Sequence, residues 1–355
     1  MPTTINDVAK EAGVSITTVS RVINNNYPVK EETRIRIEKA IEKLNYKPNT
    51  MARGLITKKS SMIGVIVPGI TNLFFPTIVE AIDECMKNRG YSIALSNTEG
   101  EPQKEVKLVE EHLGRQVDGI IAIDPTMENL HKGYYNKLSR TVPLIIINGS
   151  ADSNKCSFVC YDERVGTVEA FKYLMELGHK KIAFIRGHKS FSYDIKQQIY
   201  EEVLEEEKLL YKKIVNVGKG NSIEVVERTQ RSIEELLRSE ERPTAVFACN
   251  DLMAVGVMNS CNKLGIKVPE EMSIIGFDNT LLASITQPKL TSVDLNMKEI
   301  GYRAAYELLD VIENNTKSRK KIILDTSLVV RESCAEVNNK KSKTMRNLRL
   351  SIKNM

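Results

Sequence analysis

Apolar residues along this chain follow two different periods, and the change comes near residue 61. Over residues 5–24, INDVAKEAGVSITTVSRVIN, they recur at helical spacing: Val8, Ala9 and Ala12 in the first half, Val19, Val22 and Ile23 in the second. The pattern predicts two short helices joined by a tight turn at Gly13, where a positive φ is often needed. Thr4 followed by Asp7 resembles a capping box with Asp in place of Glu or Gln, and Ser15 offers an N-cap to the second helix. A third helix fits residues 31–44, with Ile37, Ala40, Ile41 and Leu44 on one face, and would close a small three-helix domain. Lys30 is a poor N-cap, so the start of that helix stays open. Pro48 stops it, and Asn49 can cap a further short helix holding Met51, Ala52, Arg53 and Leu55. That piece is too short to be stable alone, and Gly54 weakens it further.

From Met62 onward, short apolar runs alternate with amphipathic stretches. Runs of β type fall at 63–67, 93–95, 119–123, 144–147 and 158–161, then at 182–185, 214–217, 245–248 and 273–277. Helical stretches fall between them at 75–89, 104–116, 165–177, 192–208, 223–238 and 253–264. Continuous apolar strands separated by helices predict parallel sheets covered on both faces, and two such series predict two α/β lobes.

Charge sharpens this division. Residues 1–60 carry 11 Lys/Arg against 6 Asp/Glu, whereas residues 61–336 carry 34 against 40. A basic head on an acidic body predicts that the head is the part that meets a polyanion. The tail, 337–355, has 6 Lys/Arg and no acid; it reads as a disordered segment, as a further DNA contact or as a weak association strand, and it lacks the heptads of a coiled coil. No apolar run reaches the ~18 residues of a membrane span, and no secretory h-region opens the chain, so a cytoplasmic protein with no membrane partner is expected. The six cysteines are scattered and read as reduced thiols. His112, His131, His179 and His188 lack metal-ligand spacing, and neither a G-x-S-x-G elbow nor a P-loop is present. No metal, no cofactor and no enzyme activity are expected.

On the second helix, Ile16, Thr17, Thr18, Ser20 and Arg21 fall between the buried positions and point outward. Hydroxyls, one apolar tip and one Arg on a short helix suit a DNA major groove. The order D-V-A-x-x-A-G-V-S-x-x-T-V-S-R-x-x-N, ending on Asn24, resembles the headpiece signature of the lactose/galactose-repressor family of bacterial transcription factors. The resemblance continues through YKPNTMARGL and along the chain to about Val330. It implies a helix-turn-helix headpiece at 1–46 and a hinge helix at 47–60. Two doubly wound parallel-sheet lobes of periplasmic-binding-protein type would follow, one built from 61–161 and 293–330, the other from 162–292. In that scheme the chain crosses between lobes three times, 291–294 is the final crossing and 322–331 is one returning strand. Ser15, Ile16, Thr17, Thr18, Ser20, Arg21 and Asn24 would face the major groove. Asn49, Ala52, Arg53 and Leu55 would enter the minor groove, Leu55 as a wedge at a base step. The partners implied are double-stranded operator DNA, a second copy of the chain and a small-molecule effector.

Open α/β lobes bind ligands beyond the carboxyl ends of their strands. Phe74, Phe75, Asn148, Asn250 and Asp278 follow strands and make an effector-binding set suited to sugar hydroxyls, although Asn and Asp there also cap helices and Phe74 also fits a core. The family motifs N-D-x-M-A-x-G and I-G-F-D-N single out Asn250 and Asp278. Lys196 stands where sugar-responsive relatives carry Arg, and Ile199 replaces a Gly; Lys lacks the planar fork of Arg. SNTEGEPQKE, GRQVDGIIAI and IIGFDNT also resemble the catabolite-control branch, whose members answer to a serine-phosphorylated phosphocarrier protein, but Gln287 replaces the Arg that branch carries before Pro288. The expectation is a transcriptional regulator, most simply a repressor, controlled by a sugar-like effector. The alternatives are control by the phosphocarrier protein and, further off, a solute-binding receptor.

Overall fold

A computed structural model describes residues 3–24, 27–47, 59–147, 156–188, 190–314, 316 and 318–337. The chain divides into two compact units, 1–60 and 61–355. The first holds α1 (Ile5–Ala12), α2 (Ile16–Asn24) and α3 (Glu31–Lys43). Val8, Ala9, Ala12, Val19, Val22, Ile37 and Ala40 form its core. The start of α1 is fixed by Asp7, whose carboxylate accepts from both the Thr4 N–H and the Thr4 hydroxyl at 2.8 Å. Gly13 closes the helix at φ 64, a left-handed cap that costs glycine nothing. Lys30 gives α3 no side-chain cap.

The second unit carries two six-stranded sheets. In the first lobe the strands are β1 (Met62–Val67), β2 (Ser92–Asn97), β3 (Gly119–Ile123), β4 (Leu144–Ile147), β5 (Ser157–Tyr161) and β11 (Lys321–Leu324), in the order β11-β5-β4-β3-β1-β2. The second sheet holds β6 (Ile182–Arg186), β7 (Lys213–Asn216), β8 (Ala245–Ala248), β9 (Ser273–Asp278), β10 (Thr291–Asp294) and β12 (Ser327–Val329), in the order β12-β10-β9-β8-β6-β7. Neighbours run parallel except β12, which is antiparallel to β10. Interior strands are buried on both faces. Ile63, Val65, Ile121 and Ile145 face one core, and Ile66, Ile120, Ala122 and Ile146 the other. The edge strands β2, β7, β11 and β12 are the partly exposed ones.

Helices cover these sheets: α4 (Phe74–Lys87), α5 (Pro102–Gly114), α6 (Met127–His131), α7 (Tyr134–Leu138), α8 (Glu163–Glu176), α9 (Phe191–Glu206), α10 (Val225–Arg238), α11 (Asp251–Leu264), α12 (Leu281–Ile285) and α13 (Met297–Asn314). α13 returns to the first lobe and lies against α4, where a Cβ on Gly301 would stand 2.6 Å from the Ile78 carbonyl. The expected single strand over 322–331 is corrected. KIIL joins the first sheet, the chain turns at Asp325 and Thr326, and SLV joins the second. Residues 293–294 and 327–329 therefore belong to the second sheet and not to the first lobe, and 325–326 rather than 291–294 is the last crossing. Thr326 pins this crossing to the first one: its hydroxyl donates to the Asp162 carbonyl at 2.7 Å and accepts from the Gly166 N–H at 2.8 Å. The expected hinge at 47–60 and the tail from 338 fall largely or wholly outside the described residues.

Candidate functional site

The headpiece core fixes which way α2 faces. Val19 and Val22 turn inward against α1 and α3, so Ile16 (49% exposed), Thr17 and Arg21 face out. Two residues expected on that face, Thr18 and Ser20, are half-buried instead. Thr18 turns back to the helix start: its N–H donates to Ser15 Oγ at 3.2 Å, and the two hydroxyls lie 2.9 Å apart. Ser15 is thus the cap of α2. Asn24 is the last residue of that helix. The Arg21 guanidinium lies 5.2 Å from the centroid of Tyr27, whose ring is itself exposed. This cation–π contact pre-orients the charge toward solvent. Tyr27 was not legible as a partner, because it lies outside any helical period. On α3, Lys43 pairs with Glu11 at 2.7 Å. Asn49, Ala52, Arg53 and Leu55 lie outside the described residues, as does Asn148 in the second unit.

In the second unit the strand ends of the two lobes bring a polar cluster together. Asp278 closes β9 at φ 106, with Asn279 next at φ 52, two adjacent non-glycine residues in the left-handed half of the map. Such strain persists only where surroundings impose it. The surroundings here are a hydrogen-bond net centred on Asp251, which accepts from the Thr280 N–H (2.7 Å), the Thr280 hydroxyl (2.8 Å) and the Ser292 hydroxyl (2.6 Å). Arg331 completes it by donating to Asn279 Oδ1 at 2.6 Å. Gly276 is required for close approach, since a Cβ there would stand 2.4 Å from Asp251 Oδ1. Burial raises the pKa of Asp251, and burial together with the charge of Asp251 raises that of Asp278 well above the usual carboxylate value.

Lys196 sits inside this cluster with 2% exposure. Its ammonium donates to Ser192 Oγ at 2.7 Å, lies 3.7 Å from the Phe277 ring centroid and 3.8 Å from Glu163 Oε1. Tyr193 is buried beside it, its hydroxyl donating to Asn221 Oδ1 at 3.3 Å. Asn250 caps α11, accepting from the Met253 N–H at 2.9 Å and donating to the Gly220 carbonyl at 3.0 Å, so its amide is largely engaged within the protein. The two phenylalanines do not present an open platform. Both are buried, packed edge to face at 5.0 Å, and Phe74 meets Tyr161 at 6.0 Å. Glu163, Tyr161, Tyr193 and Arg186 were not among the expected residues, although Tyr161, Glu163 and Arg186 obey the same strand-end rule. At one rim the lobes meet directly: the Ile223 N–H donates to Thr71 Oγ1 at 3.2 Å and Lys219 pairs with Glu101 at 2.9 Å. Among the described residues, no His/Cys/Asp/Glu group has the arrangement of a metal site, and no helix is long and apolar enough to cross a membrane.

Comparison with known proteins agrees with both halves. Residues 4–49 match the model for bacterial regulatory proteins of the lacI family, and residues 171–334 the model for a periplasmic binding protein-like domain. Catabolite control protein A of Priestia megaterium is 37% identical over 331 residues, covering 93% of this chain and 96% of its own length. The crystal structure of the Lac repressor dimer bound to operator and the anti-inducer ONPF superposes with a TM-score of 0.81 at 26% identity, over 94% of this chain and all of that one. A complex of the transcriptional regulator CelR with cellobiose gives 0.66 at 26% identity, over 93% and 99% of the two chains. With a helix-turn-helix headpiece ahead of two parallel-sheet lobes, and relatives of this similarity along nearly its whole length, the chain belongs to the lacI family of DNA-binding transcriptional regulators.

Proposed function

We propose that this regulator binds a pseudo-palindromic operator as a homodimer, one headpiece per half-site, and that a small polyhydroxylated effector held between the lobes sets its affinity. The observation that carries the DNA half is the outward side of α2, where Ile16, Thr17 and Arg21 stand clear of the headpiece core. Arg21 reads a base edge in the major groove, with Ile16 and Thr17 beside it and Ser15, Thr18, Ser20 and Asn24 on the flanks. Asn49, Ala52, Arg53 and Leu55 make the minor-groove contacts. A bidentate Arg–guanine pair is worth about 1–3 kcal/mol of discrimination. Similarity to an operator-bound dimer supports this reading.

The effector half rests on Lys196, Glu163, Tyr193 and Asp278 gathered at the strand ends, and on the cellobiose-bound relative. Effector changes operator affinity because it binds one arrangement of the lobes better than another. The resemblance to the catabolite-control branch carries the alternative of a serine-phosphorylated phosphocarrier protein, but Gln287, exposed before Pro288, replaces the Arg of that branch.

The test is a titration of operator and scrambled duplex over a range of salt, with the native chain and with Arg21→Ala. The expected result is a steep salt slope for both duplexes and loss of preference for operator in the variant. An unchanged preference in the variant removes Arg21 from base reading.

A further inference from the structure

We propose that the effector carries a protonated amine, as an amino sugar does, and that the cleft rejects phosphorylated and acidic sugars. This rests on the reading of the cleft as the effector site. Glu163 opens α8 directly after the first crossing and is 5% exposed, yet neither of its carboxylate oxygens has a hydrogen-bond partner. The nearest cation, Lys196, stands 3.8 Å away, beyond hydrogen-bonding range, and has turned one N–H to Ser192. Asp278 is 7% exposed. Burial acts on it first, then the charge of Asp251, then those of Lys196, Glu163 and, from the first lobe, Asp124. Arg186 is the second cation nearby, but it donates to Asp194, Gln197 and the Gly187 carbonyl.

Glu163 therefore keeps both acceptor oxygens unmet beside one ammonium, and Asp278 adds a buried carboxyl that its surroundings hold toward the protonated form and that a bound cation would help to ionise. An ionised carboxylate offers about four lone-pair sites, and a buried one without donors is costly. A ligand that supplies hydroxyls and an ammonium meets both needs. A phosphate ester brings about two more negative charges and acceptors only. The rings of Phe277 and Tyr193, which already stand over the Lys196 ammonium at 3.7 and 5.8 Å, give a second cation a compatible wall. Lys196 also lacks the fork with which an Arg would donate to two sugar oxygens at once, which shifts recognition from donors on the protein to acceptors.

The experiment is calorimetric titration of the full chain with glucosamine, galactosamine and mannosamine, with the parent sugars, and with glucose 6-phosphate. Amino sugars are expected to include a binder about tenfold or more tighter than its parent sugar, with no binding of glucose 6-phosphate. Glu163→Gln and Asp278→Asn should each reduce that preference; Asn suits the positive φ at 278, and a thermal melt of each variant verifies folding. The proposal is overturned by preferred binding of glucose 6-phosphate, by equal binding of amine and parent sugar, by a preference that survives both variants, or by silence toward all three amines. Operator release by any neutral sugar would still uphold the effector reading beneath it.

Discussion

The two polar regions of this chain are built in opposite senses. On α2 the groups proposed to read DNA stand outside a small apolar core, and the Arg21 guanidinium lies over the exposed ring of Tyr27. In the cleft the polar groups lie inside, surrounded by Phe277, Tyr193 and Tyr161, and are arranged around charges that the chain itself leaves incompletely satisfied. A surface that reads a rigid polyanion needs projection and a fixed base. One that selects a small molecule needs enclosure and unmet bonding capacity. The first depends on a core of few residues, the second on a hydrogen-bond net that holds a strained loop.

The sharpest way to break this contrast is at the headpiece core. Ile37→Ala empties a fully buried site, and such truncations cost about 2–5 kcal/mol, comparable with the whole stability of so small a unit. Operator binding should vanish while thermal unfolding of the two lobes is unchanged; a folded, DNA-binding variant would show that α2 is not held by this core. Arg21→Ala comes next, with operator affinity falling about 5- to 150-fold, nonspecific binding far less, and circular dichroism unaltered. Asp278→Asn tests the other region. Because the folded pKa of Asp278 is raised, its carboxyl favours the fold at low pH, and that contribution is lost as pH rises from the ordinary carboxylate range through the folded value. The melting temperature of Asp278→Asn relative to the native chain should therefore climb with pH; a constant difference would remove the burial argument. Lys43→Ala should do least, leaving operator affinity within about threefold, since its exposed pair with Glu11 is of the kind that contributes little.

Much of the fold was open to a reading of the sequence because interior strands are buried on both faces and announce themselves as apolar runs. 119–123, 144–147 and 245–248 coincide with β3, β4 and β8. α13 went unread although it carries the helical period, since its contact positions include Gly301, Ala304 and Ala305, which weigh little in an apolar pattern. The split of 322–331 was hidden because both halves are β-type and the two-residue break, Asp-Thr, lacks Gly or Pro. In the cleft, Lys196 and Asp278 were read from motifs. Glu163 was missed because an acid in the first turn of a helix is the ordinary partner of the helix dipole, and only tertiary burial makes it unusual. Phe74 and Phe75 open α4 and are buried, Phe74 edge-on to Tyr161, a packing that their place after a strand does not announce.

Thr326 fastens the third passage between the lobes to the first, bonding to Asp162 and Gly166 and holding the two segments side by side. Should the lobes move against each other, that fastening favours rotation about the paired segments over sliding, and the displacement would grow with distance from Thr326.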